Sequence, residues 1–429
     1  MLTSRRQKKL EKYVKKYFQR HPEVKLVTVA GSTGKTYAKK AIASVLSTRL
    51  RVRMHEDNRA GGRESPLAIL GIDFPGEARG WKAWHRIYKA ARLRIKQPTD
   101  VDVIIHELNS YGPGSLRSYS QYIIPDITVI TSITETGIEQ FQSIDAIAIE
   151  QLSAASISKL ALINRDDIDG RFSAYLTTPS IYTFGTGAAA EYRFEQSDFT
   201  ISEGYRGSFI ARDWQEPINL ELRAFDDFSV RLVIAAAAVA VQFGLSPQDI
   251  QSGISTISPV PGRMNVLRGV EQSTILDDTA NNSPLSSRVA LQALYQIQAP
   301  QRIAVFGDMQ HLGQFSESAH RELGLLCDPA ELAWVITVGN AANAWLAPAA
   351  RGRGCQVKQC KNAIEAGSFA HSLLESGGVS LFSGPEEDIY LEEAVKIVLH
   401  DSLVEEKMLV RQSPEWLARK NEAFSRFSY

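Results

Sequence analysis

The chain is poor in cysteine: Cys327, Cys355 and Cys360 are the only three in 429 residues. Their spacing fits neither a disulfide framework nor a paired Cys-x-x-Cys zinc site, so burial must hold the fold, and a reducing, cytoplasmic setting is expected. Net charge is also absent, with 48 Lys and Arg against 48 Asp and Glu. Whole-molecule attraction to nucleic acid is therefore not expected. Long apolar runs are missing as well: no stretch approaches the ~18 consecutive apolar residues of a membrane span, and the N-terminus carries no apolar signal segment. What remains is an ordinary soluble composition, 44% hydrophobic and 22% charged, in a length that suggests two or three domains of about 100–200 residues.

The stretch Val24–Leu50 carries the clearest chemistry. Leu26, Val27 and Val29 read as a short buried strand, Gly31-Ser-Thr-Gly34 as a loop, and Lys35-Thr36 as the start of a helix with Ile42, Val45 and Leu46 on its apolar face. Two glycines let the backbone turn so that its N–H groups converge on an anion, and the helix N-terminus adds partial positive charge. Lys35 can then reach terminal phosphates and Thr36 can offer its hydroxyl to Mg²⁺. The eight-residue form of this motif needs glycine at position 29, where the chain has Val29, so the match is to the shorter GxxGK[ST] pattern. An ordinary strand-turn-helix is the plain alternative. The strand and helix lie on the correct sides of the glycines for a nucleotide site.

Residues 1–21 hold eight Lys or Arg against Glu11 alone, with Leu10, Tyr13, Val14, Tyr17 and Phe18 spaced as one helical face. This is either a helix docked on the domain with a solvated basic face or, as the less favoured reading, a contact for anionic lipid, nucleic acid or a protein partner. A Gly- and Arg-rich loop spans Asn58–Glu64, and a second basic segment with Trp81, Trp84, Ile87, Tyr88 and Ile95 runs over 77–96, open to the same two readings. Asp102–Glu107 is a buried-type strand ending in a carboxylate. Beside a phosphate loop, a strand end is where a doubly wound sheet places catalytic groups, which makes Glu107 a candidate Mg²⁺ ligand rather than a plain strand-end acid. Strands at Ile127–Ile130 and Leu160–Ile163, with helices at 115–122 and 144–158, continue a mainly parallel α/β pattern. Short alternating strands over 180–222 read as hairpins appended to the sheet, and the alanine-rich helix Val230–Phe243 closes the unit. Ser258–Gly262, with two prolines, reads as a linker. A second α/β unit follows, with strands at Ser273–Leu276, Arg302–Phe306, Trp334–Val338 and Val379–Phe382 and helices at Leu285–Gln298, Ser316–Leu326 and Ala363–Glu375; a helix pair over 391–426 ends the chain.

Several stretches in this order resemble the Mur ligases, the ATP-dependent peptide ligases of peptidoglycan precursor synthesis, and among them the branch that adds D-alanyl-D-alanine. They are Ala30–Thr36, Glu107–Gly114, Pro125–Thr131, Leu162–Asp167, Pro261–Met264, Ile275–Thr279 and Phe306–Met309 with Leu312-Gly313 and His320, spread over 22–330. The resemblance implies a basic lead-in helix (1–21), a P-loop type ATPase domain with a mainly parallel sheet (22–258) and a smaller Rossmann-like α/β domain (259–429). It implies a cytoplasmic enzyme that uses ATP to turn a carboxylate into an acyl phosphate, which an amine then attacks with release of phosphate. Gly31, Ser32, Thr33, Gly34, Lys35 and Thr36 would bind the phosphates, Thr36 and Glu107 would hold Mg²⁺, and Arg263 would reach toward the nucleotide. Asp278 would meet the ribose hydroxyls and Asn281 the adenine. A muropeptide-like donor and an amino acid or dipeptide acceptor are the implied substrates.

The departures from that pattern are specific. The family's first, uridine-nucleotide-binding domain has no counterpart beyond the helix at 1–21. Gly137 stands where a histidine is usual, and Gln151 stands where a lysine is often carboxylated to bridge a second Mg²⁺, with Glu150 the nearest carboxylate and a candidate substitute. Phe228-Ser229 replaces a histidine-asparagine pair, Ala280 a tyrosine, and Ser383–Glu386 a lysine-glycine-serine-arginine turn. Two alternatives stay open on these grounds. One is a related ligase acting on a non-cell-wall substrate, such as a folylpolyglutamate synthase or an amino-acid polymerising enzyme. The other is a non-ligating ATP-binding scaffold.

Overall fold

A computed structural model of the chain describes residues 4–55, 65–73, 80–176 and 180–425. Helix α1 (Ser4–Arg20) buries Leu10, Val14 and Tyr17 completely, the spacing a helical stripe requires. Strand and helix then alternate through β1 (Lys25–Ala30), α2 (Lys35–Leu46), β2 (Val52–Met54), α3 (Ser65–Leu70), α4 (Trp81–Lys96), β3 (Val103–Glu107), β4 (Ile127–Ile130), α5 (Ile138–Phe141), α6 (Ile144–Ser156), β5 (Leu160–Asn164) and β6 (Ile181–Gly185). Strands β7 (Tyr192–Thr200), β8 (Gly204–Ala211) and β9 (Ile218–Leu222) follow, then α7 (Asp227–Gln242) and α8 (Pro247–Ser255). All nine strands form one sheet in the order β2-β3-β1-β4-β5-β6-β7-β8-β9, parallel as far as β7 and antiparallel from β7 to β9.

Strand β1 is central, and both its faces are covered, which is why it reads as a continuous apolar run rather than an alternating one. Val27 and Val29 pack toward α2 and α7, while Leu26 and Ala30 pack toward α1 and α3. Its one polar interior residue, Thr28, is satisfied by a hydroxyl pair with Thr128 at 2.7 Å. The nearly continuous alanine face of α7 lets it lie close against α2.

The second sheet is built from β10 (Asn265–Arg268), β11 (Thr274–Asp278), β12 (Arg302–Gly307), β13 (Trp334–Val338), β14 (Val357–Cys360) and β15 (Val379–Ser383), in the order β10-β11-β15-β12-β13-β14. Only β10 is antiparallel to its neighbour. Helices α9 (Pro284–Gln296), α10 (Ser316–Leu326), α11 (Ala347–Gly352) and α12 (Ala363–Leu373) cover it, and α13 (Glu392–Val398), α14 (Ser402–Glu405) and α15 (Pro414–Ser425) finish the chain.

The α/β architecture with two mainly parallel sheets is the expected one, with local corrections. The helical segment expected at 115–122 is a short 3₁₀ helix, Arg117–Gln121. The 180–222 region is not purely hairpins, because β6 pairs in parallel with β5 and only β7–β9 are antiparallel. The terminal region is three helices instead of two. The loop Asn58–Glu64 and the first residues of the 77–96 segment lie outside the described residues. No described helix is long and apolar enough to cross a membrane.

Candidate active site

The loop after β1 is held open from beneath by the strand next to it. Thr131 Oγ1 donates to Thr33 O at 2.5 Å, Ser32 N–H to Ser132 O at 2.9 Å, and Thr33 N–H to Ser132 Oγ at 3.1 Å. From α6, Gln151 accepts the Gly31 N–H at 2.9 Å. Gly31 (φ +131°) and Gly34 (φ +81°) both sit in left-handed backbone, and a Cβ at Gly34 would lie 2.7 Å from the Phe228 ring, so glycine is required there twice over. Gly34 is also the N-cap of α2 and brings no side chain to that role. Among the described residues the N–H groups of Gly34 and Lys35 meet no protein acceptor. These donors at a helix N-terminus form a cradle suited to an anion.

Lys35 folds back over this loop, its Nζ donating to Gly31 O at 2.8 Å. Burial holds its pKa below the ordinary lysine value, opposed by Glu107 and reinforced by Arg263. Glu107 and Arg263 are thus the charged neighbours of the buried ammonium. Glu107 ends β3, and the parallel register brings it alongside Val29. Its Oε2 accepts from the Thr36 hydroxyl at 3.2 Å and lies 3.6 Å from the buried Lys39 ammonium. A hydroxyl and one carboxylate side by side next to an anion cradle make the hard oxygen set that Mg²⁺ takes when phosphate oxygens and water complete its shell. Among the described residues no three His, Cys, Asp or Glu side chains converge on a metal site.

These groups line a cleft of about 310 Å³ whose opposite wall comes from the second sheet. Arg263, after the 258–262 turn, donates from Nη1 to Asn281 O at 2.8 Å. Asp278 ends β11, accepts from Ser383 Oγ at 3.2 Å, and has its pKa raised well above the usual carboxylate range by burial, with Arg263 opposing and Asp226 adding to the rise. Asp226 faces it from the N-cap of α7, where it takes the Ser229 N–H at 2.7 Å and is itself raised by burial. Asp277 points away from the cleft to tie the turn together, accepting from Gly262 N–H at 3.1 Å and Thr279 Oγ1 at 2.6 Å; burial pushes its pKa up to about 6.

The structure thus brings together Ser32–Thr36, Glu107, Arg263, Asp278 and Asn281 around one cleft; Gly31 begins the same loop but does not line the cleft, its N–H being taken by Gln151. It does not bring Glu150 there. That side chain is buried, and its carboxylate accepts from Gly114 N–H and Leu116 N–H, each at 2.6 Å, and from Ser110 Oγ at 3.1 Å. Both oxygens are engaged in fixing the 110–116 loop, so the expectation that Glu150 holds a metal is corrected to a loop anchor. Several lining residues were not foreseen as site residues, among them Asp226, Ser286, Val289 and Glu386. Asp226-x-x-Ser229 and Ser283-Pro284 are helix-start signals legible in the sequence, but only the tertiary fold turns those starts toward the cleft.

A second cleft, of about 700 Å³, lies on the other side of the 133–136 loop. Ile138, Phe172, Leu285 and Leu323 give it an apolar floor, and Arg288 stands on its rim. The loop and the start of α9 serve both cavities: Thr136 and Ser286 line the first, Glu135 and Leu285 the second.

Comparison with known proteins agrees with this geometry. Residues 29–240 match the Mur ligase middle domain and residues 262–385 the Mur ligase glutamate ligase domain. The UDP-N-acetylmuramoyl-tripeptide–D-alanyl-D-alanine ligase of Bacillus subtilis (strain 168) is 24% identical over 340 residues, which is 77% of this chain and 66% of that protein. The structure of MurF from Acinetobacter baumannii superposes with a TM-score of 0.73 at 19% identity, over 91% of this chain and 79% of that one. MurF ligase from Thermotoga maritima, solved in complex with ADP, superposes with a TM-score of 0.69 at 19% identity, over 92% and 84%. The chain spans no more than 66% of the length of the first relatives it matches by sequence. The two matched domains occupy the two sheets, and the cleft carrying the phosphate loop lies where they meet, so the chain belongs to the Mur ligase family.

Proposed function

We propose that the chain is an ATP- and Mg²⁺-dependent amide ligase that joins a carboxylate donor to the amine of an amino acid or peptide in peptidoglycan precursor synthesis. The observation that carries this reading is the meeting of Lys35, Thr36 and Glu107 from one sheet with Arg263 and Asp278 from the other across a single cleft. We infer that the chain divides near residue 258 into an ATP-binding part (22–258) and a ligase part (259–429), with 1–21 as a lead-in helix.

In this reading ATP supplies the phosphoryl group that makes the donor carboxylate an acyl phosphate, from which an amine displaces phosphate to form the amide. The chain's residues supply charge and position. The N–H groups of Gly34 and Lys35 and the Lys35 ammonium neutralise phosphate charge, and Thr36 and Glu107 would hold Mg²⁺. Arg263 adds positive charge from the opposite wall, while Asp278 receives ribose hydroxyls and Asn281 stands near the base. Two walls on separate sheets let closure exclude water, which a hydrolysable acyl phosphate requires. We assign the muropeptide-like donor to the 700 Å³ cleft on the far side of the 133–136 loop, where Arg171 and Arg288 stand among Glu135, Asp166, Asp167, Asp169 and Glu322 and are the groups that can receive its anions.

The test uses purified protein, ATP, Mg²⁺, a UDP-N-acetylmuramoyl-tripeptide and D-alanyl-D-alanine, with single amino acids and folate as alternative substrates. Acceptor-dependent ADP release and an amide product seen by mass spectrometry are expected, both abolished in Lys35→Ala. ATP binding with no turnover across the panel would overturn the reading in favour of a scaffold. Turnover surviving in Lys35→Ala would overturn the site assignment.

A further inference from the structure

Helices α1 and α4 pack side by side outside the nucleotide cleft, to which neither contributes a residue. Together they carry fourteen Lys and Arg against one acid, Glu11. Because the whole chain balances 48 against 48, the remainder holds thirteen more acids than bases. The neutral sequence total therefore conceals a strongly polarised molecule. The two cationic surfaces are joined: Arg6 of α1 stands over the Trp84 ring at 4.6 Å, Lys9 stands over the Tyr88 ring at 4.0 Å, and Tyr13 packs against Tyr88. Their inner faces are used up in the core by Leu10, Val14, Trp84 and Ile87, which fixes the basic faces outward.

Among the described residues only Arg94, 2.9 Å from Asp100, is neutralised by an ion pair. Among the described residues the other thirteen cations face no carboxylate within ion-pair distance, although self-repulsion over so small an area destabilises the fold. Set among them on α4 are two apolar side chains left in water, Trp81 at 72% exposure and Leu93 at 45%. A purely solvated basic face has no use for an exposed tryptophan. Cations beside an amphipathic aromatic are what an anionic bilayer surface selects, the charges seeking headgroups and the indole the interfacial zone.

We propose that the α1/α4 face docks the protein peripherally on a membrane surface bearing anionic lipids. The occupant is a lipid surface, because the exposed side chains combine dense positive charge with an indole suited to the headgroup boundary. The docked orientation leaves the inter-sheet cleft free for small substrates, since the two helices and the cleft share no residue.

The experiment is co-sedimentation of the full chain with vesicles of phosphatidylcholine alone or with 30 mol% phosphatidylserine. Binding to the anionic vesicles, none to the neutral ones, and release by 0.5 M salt are expected. Replacing the exposed Lys12, Lys15, Lys16 and Lys89 by Gln should weaken partitioning several hundredfold, at about fivefold per cation. Trp81→Ser should weaken it about tenfold and remove the part of the tryptophan quenching by brominated lipid that belongs to that residue. Failure to bind anionic vesicles at 50 mM salt overturns the proposal, as does binding that is unchanged in both variants. Binding of duplex DNA at lower protein concentration than vesicles, abolished by the same lysine changes, overturns it in favour of a nucleic-acid surface.

Discussion

Replacing Arg411 by Ala tests whether the far C-terminus sets the nucleotide-binding loop. The Arg411 guanidinium grips the fully buried Glu392 with two hydrogen bonds, at 2.8 and 2.6 Å, and donates to the carbonyls of Thr279 (2.6 Å) and Ala280 (3.0 Å). Those carbonyls lie between Asp278 and Asn281. Lys420 of α15 backs Glu392 at 2.8 Å, and a Cβ at Gly262 would fall 2.8 Å from Val410, so the tail also packs on the turn that carries Arg263. Removing one partner of a buried ion pair costs about 3–5 kcal/mol. Lys420 remains as a counter-ion, which moves the expectation to the lower end, and the two abandoned carbonyls each add up to about 1 kcal/mol. The expected loss is about 3–5 kcal/mol in urea unfolding followed by far-UV circular dichroism. Arg411→Lys keeps the charge but lacks the planar fork, and should lose about 1–2 kcal/mol. At temperatures where both variants stay folded, calorimetric titration with ATP and Mg²⁺ should show affinity reduced about tenfold or more, because the 279–281 loop loses its fixed carbonyls. A stability loss under about 1 kcal/mol, or unchanged ATP affinity in a folded Arg411→Ala protein, would refute the reasoning.

Other outcomes follow from the same geometry. Gly34→Ala should abolish nucleotide binding in a filter or calorimetric assay, since it adds a strained left-handed residue (about 1–2 kcal/mol) to a 2.7 Å collision with Phe228. Arg288→Ala should raise the KM for the anionic donor while leaving ATP affinity within twofold; equal effects on both would remove the second cleft from the substrate path. His320 accepts the Met309 N–H at Nε2 (2.8 Å), its Nδ1 lies 2.7 Å from Ser316 O, and burial lowers its pKa. The unfolded chain therefore takes up its proton first, so this residue's contribution is lost as pH falls below about 6.5. The slope is at most about 1.4 kcal/mol per pH unit, and His320→Gln should flatten the stability profile between pH 6.5 and 5 by that amount or less.

The fold was legible where the sequence is locally unambiguous. Strands flanked by glycine and helices with a clear apolar stripe sit within a few residues of expectation, because period and turn chemistry are short-range properties. Strands β10 and β14 escaped because Asn265–Arg268 and Val357–Cys360 are four-residue edge strands with mixed polarity, held mainly by one neighbour each. In the site, the phosphate loop could be read in isolation. The roles of Asp226 and Glu386 could not, because each depends on which element the second sheet brings opposite.

The pair Glu150-Gln151 shows most sharply what a sequence withholds. Read along α6, the acid looks like the functional residue and the amide like its inert replacement. A helix period places adjacent residues about 100° apart, so the two side chains serve different loops. Glu150 turns to the 110–116 loop and is saturated there, whereas Gln151 points to the phosphate loop and accepts the Gly31 N–H. The amide is thus the one coupled to the nucleotide site. Gln151→Leu orphans a buried N–H and should cost about 1–3 kcal/mol of stability, with a weaker grip on ATP, whereas Gln151→Glu preserves the acceptor but adds a negative charge beneath the phosphates and should weaken ATP binding with little loss of fold. If Gln151→Glu bound ATP as tightly as the parent while Gln151→Leu did not, position alone would matter and the charge argument would fail. If neither changed ATP affinity, the loop would be holding its shape without α6, and Gly31 and its glycine partner would be sufficient.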